Sequence, residues 1–492
     1  MIPVNNAQLH FDFNLLDALP VKVANLANDS RQLKAGDTFV AYRGEQVDGR
    51  QFIPQAIANG ANAILWDAAN YLWDPAWQIP NLPVPQLRDK VGALAAEVYG
   101  RPSRRLCVIG ITGTNGKTSC SHWLAQALGQ AGRPTAIIGT LGNGFPEQLE
   151  PSPNTTPDPI VLQRSLKRYL DDGAQCVAME VSSHALDQGR VNGMHFEMAL
   201  FTNLTRDHLD YHGDMKRYAA AKSVLFTWPE LRHAVLNCDD PYARELRQKA
   251  EVRGTKIIGY GFEAGEVRGS NLRVGPQGLR FDVTTPWGEA QVESGVLGRF
   301  NAHNLLAVLA TLLVGGVKFD QAIISVQHIQ PVPGRMQQIR KPGKPLVVVD
   351  YAHTPDALEK VLITLREISG DSKASASRLI CVFGCGGQRD KGKRPMMGDV
   401  ASRLADSVVV TSDNPRNEEA RAIIDDIVAG MAANYHVMED RAAAIDYAIR
   451  HAQAQDVVLI AGKGHEEYQE IKGVKLPFND IEVAIRALEE QP

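Results

Sequence analysis

Arg105-Leu106-Cys107-Val108-Ile109-Gly110-Ile111-Thr112-Gly113-Thr114-Asn115-Gly116-Lys117-Thr118 decides the fold. Its first half is a continuous apolar run rich in β-branched residues, which predicts a strand buried on both faces. From Lys117 to Ala131 the apolar residues recur at helical spacing, so a helix is expected directly after the turn. A glycine-bearing loop between strand and helix is the setting in which a P-loop works. Glycines let backbone N–H groups turn inward around phosphate oxygens, Lys117 neutralises the outer phosphates, Thr118 can ligate Mg²⁺, and the helix amino terminus adds positive potential. The spacing departs from GxxxxGK[ST], because Ile111 stands where the first glycine would be. Stripped of context, the segment reads as an ordinary turn with a surface lysine.

Further runs of buried-strand character follow (TAIIGT, CVAMEV, MALFTNL, HAVLN, KIIGYG), separated by helical patterns, as in a parallel sheet covered on both faces. Between Gly278 and Gly295 the period changes to two around Pro286-Trp287-Gly288-Glu289, predicting an antiparallel hairpin, and HNLLAVLATLL predicts a helix closing that unit. Upstream, DTFVAY, NAILWD and a helical pattern after Gln51 form a small α/β unit ending in GRPSRR. Downstream, past the Pro- and Gly-rich PVPGRMQQIRKPGKP, come LVVVD, LICVFG, SVVVTS and VVLIAG. Their loops, YAHTPD, CGGQRDKGKRP, DNPRNEE and KGHEEYQ, are expected to converge on one crevice beyond the strand ends. The fold class is therefore α/β in three domains. Residues 1–101 make a small amino-terminal domain, 102–334 a central P-loop domain with a parallel sheet and an antiparallel hairpin, and 335–492 a Rossmann-like carboxyl-terminal domain.

Composition bounds the partners. The chain has 492 residues, 44% hydrophobic and 22% charged, with a formal net charge of −4. That is a globular composition with no bulk attraction to nucleic acid or to an anionic membrane. Six cysteines without a CxxC pair read as reduced thiols, mostly packed in apolar runs. The opening MIPVNNAQLHFDF has no basic and apolar leader, and the longest apolar stretch, near Leu305 to Val314, is too short to span a bilayer. A cytoplasmic protein without membrane insertion is expected.

Glu180 follows a buried run and is expected at a strand's carboxyl end near the phosphate loop, where it could hold Mg²⁺ or simply face solvent. NLTRDHLDYHGDMKRYAAAKSVLF then supplies Asp207, His208, Asp210, His212 and Lys222. Asp207 or Asp210 could equally be a helix cap.

GTNGKT, EVSSHAL, TNLTRDHLDYHG, AAK and GRFNAHN stand here in the order found in the Mur ligases, which build bacterial peptidoglycan precursors. Folylpolyglutamate synthetases share part of the pattern. The resemblance covers almost the whole chain, most loosely at its start. It implies an ATP-dependent ligase that activates a carboxylate as an acyl phosphate and couples it to an amine. It places ATP on Gly113, Thr114, Asn115, Gly116, Lys117, Thr118, Ser119, Asn304, Arg335 and Asp350, with His353 nearby. It makes Lys117, Glu180, His208 and Lys222 catalytic, with Mg²⁺ at Thr118, Glu180, His208 and Lys222, the last as a CO₂-derived carbamate. A carbamate attracts the cation that an ammonium would repel.

The same resemblance sets the organic substrates. NDSR and GEQVDGR look like loops that hold a UDP sugar, through Asn28, Ser30, Glu45, Gln46 and Val47. Asn154, Thr155, Thr156, Ser182, Gln188 and Arg190 match positions that hold a muramoyl dipeptide. Asp413-Asn414-Pro415-Arg416 resembles the sequence marking the meso-diaminopimelate-adding branch. A guanidinium can grip the far carboxylate bidentately, and lysine offers nothing there. Arg389 and Arg416 are the implied clamps, while Gly462 and Glu466 match positions that recognise the distal ammonium. The partners implied are ATP, UDP-N-acetylmuramoyl-L-alanyl-D-glutamate and meso-diaminopimelate, acting on a monomer. A lysine-adding ligase, a folylpolyglutamate synthetase and a P-loop module driven by ATP hydrolysis are the alternatives.

Overall fold

A computed structural model describes residues 12–45, 47–275, 277–369, 377–432 and 434–490. Among them the central sheet has eleven strands. Its middle runs Lys256–Gly261, His233–Asn237, Met198–Phe201, Cys107–Thr112, Cys176–Glu180 and Thr135–Gly139, all parallel. These are the runs expected to be buried, and alternate residues feed the two covered faces. Ile109, Ile111, Cys176 and Ala178 pack on one side, and Val108, Val177 and Met179 on the other. The helices Lys117–Gln130 and Arg299–Val314 lie in the first layer. Each buried large apolar side chain contributes about 1.5–3 kcal/mol, so a helix as apolar as Arg299–Val314 is stable only inside this layer. No helix among the described residues is long and apolar enough to cross a membrane.

The hairpin Gly278–Thr285 with Gly288–Ser294 forms as expected and is extended by Val267–Gly275, antiparallel to its first strand. At the opposite edge, the short strands Gly142–Phe145 and Gln148–Glu150 add an antiparallel border that the sequence reading did not contain. Two glycines in four residues carry no readable strand period.

The amino-terminal residues form a parallel sheet of Leu26–Ala27, Thr38–Ala41, Ala63–Trp66 and Asn81–Pro83. In the carboxyl-terminal domain the order is Gln337–Ile339, Leu346–Asp350, Val457–Ala461, Leu379–Phe383, Ser407–Val410 and Tyr435–Val437. All its neighbours are parallel except Gln337–Ile339, which pairs antiparallel with Leu346–Asp350. A second hairpin, Tyr468–Ile471 with Val474–Pro477, follows the last central strand. All six cysteines are free thiols.

Candidate functional site

The phosphate loop is fixed by its own backbone needs. Gly116 caps the Lys117–Gln130 helix at φ 86°, and a Cβ there would lie 2.6 Å from Asn304 Oδ1. A Cβ on Gly113 would lie 1.9 Å from Thr202 Oγ1. Only glycine fits either place. Asn203 accepts from the Asn115 N–H through Oδ1 at 2.9 Å, and Thr202 Oγ1 donates to the Asn115 carbonyl at 2.6 Å. The Lys117 ammonium donates to the Gly113 and Thr114 carbonyls at 2.9 and 2.8 Å. Burial lowers its pKa from the usual lysine value. Ser119 is buried in the first turn of the helix.

Glu180 ends the Cys176–Glu180 strand beside this loop and is fully buried. Its carboxylate accepts from the Thr118 hydroxyl at 3.0 Å, the Thr140 N–H at 2.9 Å and the Thr140 hydroxyl at 3.1 Å. Lys222, 1% exposed on the helix Met215–Ser223, donates to the Gly113 carbonyl at 2.7 Å and stands 4.5 Å from the Tyr218 ring centre. Burial, then the nearby Lys117 charge, carries its pKa well below the usual lysine value. His208 takes a left-handed backbone (φ 54°), and desolvation leads the effects that push its imidazole down to about 3. It is a neutral ring at neutral pH, the form in which imidazole binds metals.

Among the described residues, no three His, Cys, Asp or Glu side chains cluster closely enough to hold a metal ion. The other ligand-type residues of that loop are engaged elsewhere. Asp207 lies 3.2 Å from His208 Nε2 and 3.9 Å from both His353 Nε2 and Lys393 Nζ. His212 Nε2 lies 3.0 Å from Ser183 Oγ, and Asp210 is exposed in a single helical turn. What fits a hard cation here is the oxygen pair of Thr118 and Glu180, while the His208 ring is turned to Asp207.

Two side-chain contacts tie the phosphate loop to the carboxyl-terminal domain, and Arg206 makes another from the neighbouring loop. Arg335 donates to Thr118 Oγ1 at 3.1 Å while its guanidinium stands 4.5 Å from the Tyr351 ring centre. Asn115 Nδ2 donates to Asp356 Oδ2 at 2.9 Å. Arg206 pairs with Asp390 at 3.2 Å. Asp350 turns back to its own domain, accepting from the Met336 and Ala352 N–H groups, and burial raises its pKa. His353 Nδ1 donates to the Tyr351 carbonyl at 2.8 Å. An open cavity of about 570 Å³ beside Arg206 and Asp356 is lined by Pro355, Met396 and Val400. None of the expected ligand-binding side chains lines it.

At the other end, Glu45 accepts from Arg88 at 3.0 Å and from Gln188 Nε2 at 3.0 Å. Arg190 donates to Gln188 Oε1 at 2.7 Å and to the Thr156 carbonyl at 3.1 Å. Thr156 Oγ1 donates to the Glu180 carbonyl at 2.8 Å and accepts from the Ser182 N–H. Thr155 Oγ1 is 3.1 Å from Thr140 Oγ1. Asn28 reaches Asp158 Oδ1 at 3.3 Å. The structure thus brings Glu45, Gln188, Arg190, Thr156 and Ser182 into one chain of contacts leading to Glu180. Ser30 faces inward to Gln55 Oε1, Val47 and Asn154 are exposed, and Gln46 lies outside the described residues.

The four carboxyl-terminal loops do converge. Asn414 Nδ2 donates to Glu466 Oε2 at 2.7 Å, and the Gly387 N–H donates to the Asn414 carbonyl at 2.9 Å. Tyr351 and His465 rings meet at 5.1 Å. Arg416, left-handed at φ 52°, donates to the Gly387 carbonyl at 2.8 Å and pairs with Glu470 at 3.4 Å. Pro415 lies against Gly387, where a Cβ would come within 2.0 Å of its carbonyl oxygen. A Cβ on Gly462 would lie 2.6 Å from Asp413 Oδ2. Arg389 is exposed on the neighbouring loop, donating weakly to Gln388 O. Sequence reasoning missed Asn203, Asp356, Lys463 and Glu470. The first three stand inside quoted motifs, but nothing in a linear pattern says which motif residues bond across elements.

Three family models match in succession: "Mur ligase family, catalytic domain" over 22–99, "Mur ligase middle domain" over 111–312 and "Mur ligase, glutamate ligase domain" over 334–464. A Chromobacterium violaceum protein named UDP-N-acetylmuramoyl-L-alanyl-D-glutamate--2,6-diaminopimelate ligase is 54% identical over 480 residues, covering 97% of each chain. A Nitrosomonas europaea protein of the same name is 51% identical, covering 96% of this chain and 94% of its own. A solved structure of an enzyme of that name superposes with a TM-score of 0.68 at 37% identity, over 96% of this chain and 95% of that one. The order of the three domains, the phosphate loop at the heart of the central sheet and these full-length similarities lead to one conclusion: this chain belongs to the Mur ligase family.

Proposed function

We propose that the protein joins meso-2,6-diaminopimelate to the γ-carboxylate of the D-glutamate in UDP-N-acetylmuramoyl-L-alanyl-D-glutamate, with ATP as co-substrate, in peptidoglycan precursor synthesis. The observation that carries the reading is the Glu466 carboxylate on the Asn414 carboxamide and the Arg416 guanidinium on the Gly387 carbonyl, on loops joined by the Gly387 N–H to Asn414 carbonyl bond. That set can recognise an amino-acid head: carboxylate to Arg416, ammonium to Glu466. Lysine has no such head at its far end. The relatives named for the same reaction support the assignment.

In this reading the units divide at 101/102 and 334/335. The amino-terminal unit holds the UDP sugar through Asn28, Ser30, Glu45, Gln46 and Val47. Asn154, Thr155, Thr156, Ser182, Gln188 and Arg190 present the dipeptide. The Glu45–Gln188 bond at 3.0 Å supports one continuous groove between the two units. Gly113 to Ser119, Asn304, Arg335 and Asp350 hold ATP. The substrate carboxylate attacks the γ-phosphoryl group, giving an acyl phosphate and ADP, with Lys117 meeting the charge on the transferring oxygens. The amine then attacks the acyl carbon, and the tetrahedral adduct collapses to amide and phosphate. Much of the rate comes from holding three substrates in register.

Thr118, Glu180, His208 and a carbamylated Lys222 would hold Mg²⁺, which neutralises phosphate charge when bound. The buried, depressed-pKa Lys222 amine supports this assignment, because it is the unprotonated amine that adds CO₂. Arg389, Asp413, Pro415 and Gly462 complete the amino-acid pocket. A cytoplasmic reaction by a monomeric chain completes the reading, since ATP and UDP-linked substrates are supplied there. The testing experiment follows phosphate release with each substrate omitted in turn. The ligase requires the dipeptide and the amine for sustained release. Release with ATP alone at the full rate would instead favour an ATP-driven module.

A further inference from the structure

Lys463 is a fully buried lysine that no step above uses. Its ammonium donates to Asn414 Oδ1 at 2.9 Å and to Glu466 Oε2 at 3.0 Å, and it stands 5.6 Å from the Tyr468 ring centre. Asn414 Nδ2 closes the triangle on the same Glu466 oxygen at 2.7 Å. The Glu470 N–H also donates to Asn414 Oδ1, at 2.9 Å, and the Glu470 side chain pairs with Arg416. The Arg416 N–H in turn donates to the Glu470 carbonyl at 3.0 Å.

The consequence follows from counting donors and acceptors. Two donors converge on Asn414 Oδ1, so its carboxamide cannot flip without turning an N–H toward an ammonium. Glu466 Oε2 is filled by Asn414 and Lys463. What stays uncommitted, among the described residues, is the second N–H of Asn414 and Oε1 of Glu466. They form an adjacent donor and acceptor, complementary to the carboxylate and ammonium of one amino-acid head.

We infer that Lys463 is a specificity-determining positioning residue, whose buried ammonium locks Asn414 and Glu466 into the arrangement that recognises the far head of the amino-acid substrate. The inference deepens the proposed function and rests on it. Without the ammonium, Glu466 loses its fixed orientation, and Asn414 loses one of the two donors that set its amide. Recognition of a zwitterionic head then weakens, while the phosphate loop and the dipeptide groove are untouched.

The test is the ratio of kcat/KM for meso-2,6-diaminopimelate to that for L-lysine, measured in the full-length wild type and in Lys463→Met and Lys463→Arg. Folding of each variant is checked by thermal melting. In Lys463→Met the ratio should fall roughly tenfold or more, through a raised KM for diaminopimelate, with KM for ATP and for the dipeptide within about twofold of wild type. Lys463→Arg, which keeps the charge, should lie between the two. An unchanged ratio, an equal loss with both amino acids, or failure of both variants to fold would overturn the inference and leave Lys463 a structural lysine. A wild-type chain that makes no product from diaminopimelate would overturn the proposed function instead.

Discussion

Lys222 Nζ donates to the Gly113 carbonyl at 2.7 Å, so the helix Met215–Ser223 is pinned directly beneath the phosphate loop. This lysine is buried and reads as poised between a structural tie and a reactive amine. Its burial and depressed pKa favour the reactive amine. Lys222→Ala should leave the fold intact, since alanine is the better helix former, and lower kcat by about a thousandfold or more, the scale of lost transition-state charge stabilisation. Millimolar formate or acetate should restore part of the rate, a carboxylate standing in for the carbamate. Turnover assays with and without the acid check this, and undiminished activity would remove Lys222 from the site.

Asp356 receives the Asn115 side chain at 2.9 Å, and Thr205 Oγ1 approaches the same oxygen at 3.4 Å. It is the acceptor through which the carboxyl-terminal domain feels the phosphate loop. Asp356→Ala should lower kcat/KM for ATP roughly tenfold, the value of a hydrogen bond to a charged group. Asp356→Asn should lie between. Steady-state kinetics distinguish this from an unfolding effect, which would lower the active fraction without moving KM.

Arg416 holds a left-handed backbone that glycine adopts without strain. Arg416→Gly and Arg416→Ala should both raise KM for diaminopimelate, since both remove the guanidinium. The glycine variant should be the more stable of the two by about 1 kcal/mol. Urea unfolding of the pair measures the difference.

Glu418 bonds the almost fully buried Arg394 and also accepts from the Gln388 N–H. The Arg394 hydrogen bonds lead the effects that hold its pKa down to about 2, against an ordinary 4.5. A depressed carboxylate pKa contributes stability that is present above 4.5 and is lost as pH falls toward about 2. Glu418→Gln should therefore cost roughly 2 kcal/mol at pH 7, with the gap to wild type closing between pH 4.5 and 2. Denaturant titrations across that range check the sign.

The parallel strands were legible because continuous runs such as Val347-Val348-Val349 fit only a strand covered on both faces. The Gly278–Ser294 hairpin was legible because its alternation has a single solution. Gln337–Ile339 was not, since it lies in a Pro- and Gly-rich stretch and gains its pairing only from Leu346–Asp350. The hairpin ending at Pro477 was missed for a related reason: its second strand is exposed throughout and has no buried face to impose a period. Within the site, glycines and charged residues announced themselves by motif. Lys463 did not, because its importance lies in closing a triangle with Asn414 and Glu466, which chain order separates from it by unequal distances.

The central claim is a choice of amine, and a single end-point assay addresses it. The purified chain is supplied with ATP, Mg²⁺ and the UDP-muramoyl dipeptide, together with either meso-diaminopimelate or L-lysine, and the nucleotide-linked tripeptide is separated by chromatography and weighed by mass spectrometry. The diaminopimelate adduct is the expected dominant product. Accumulation of the lysine adduct alone would contradict it.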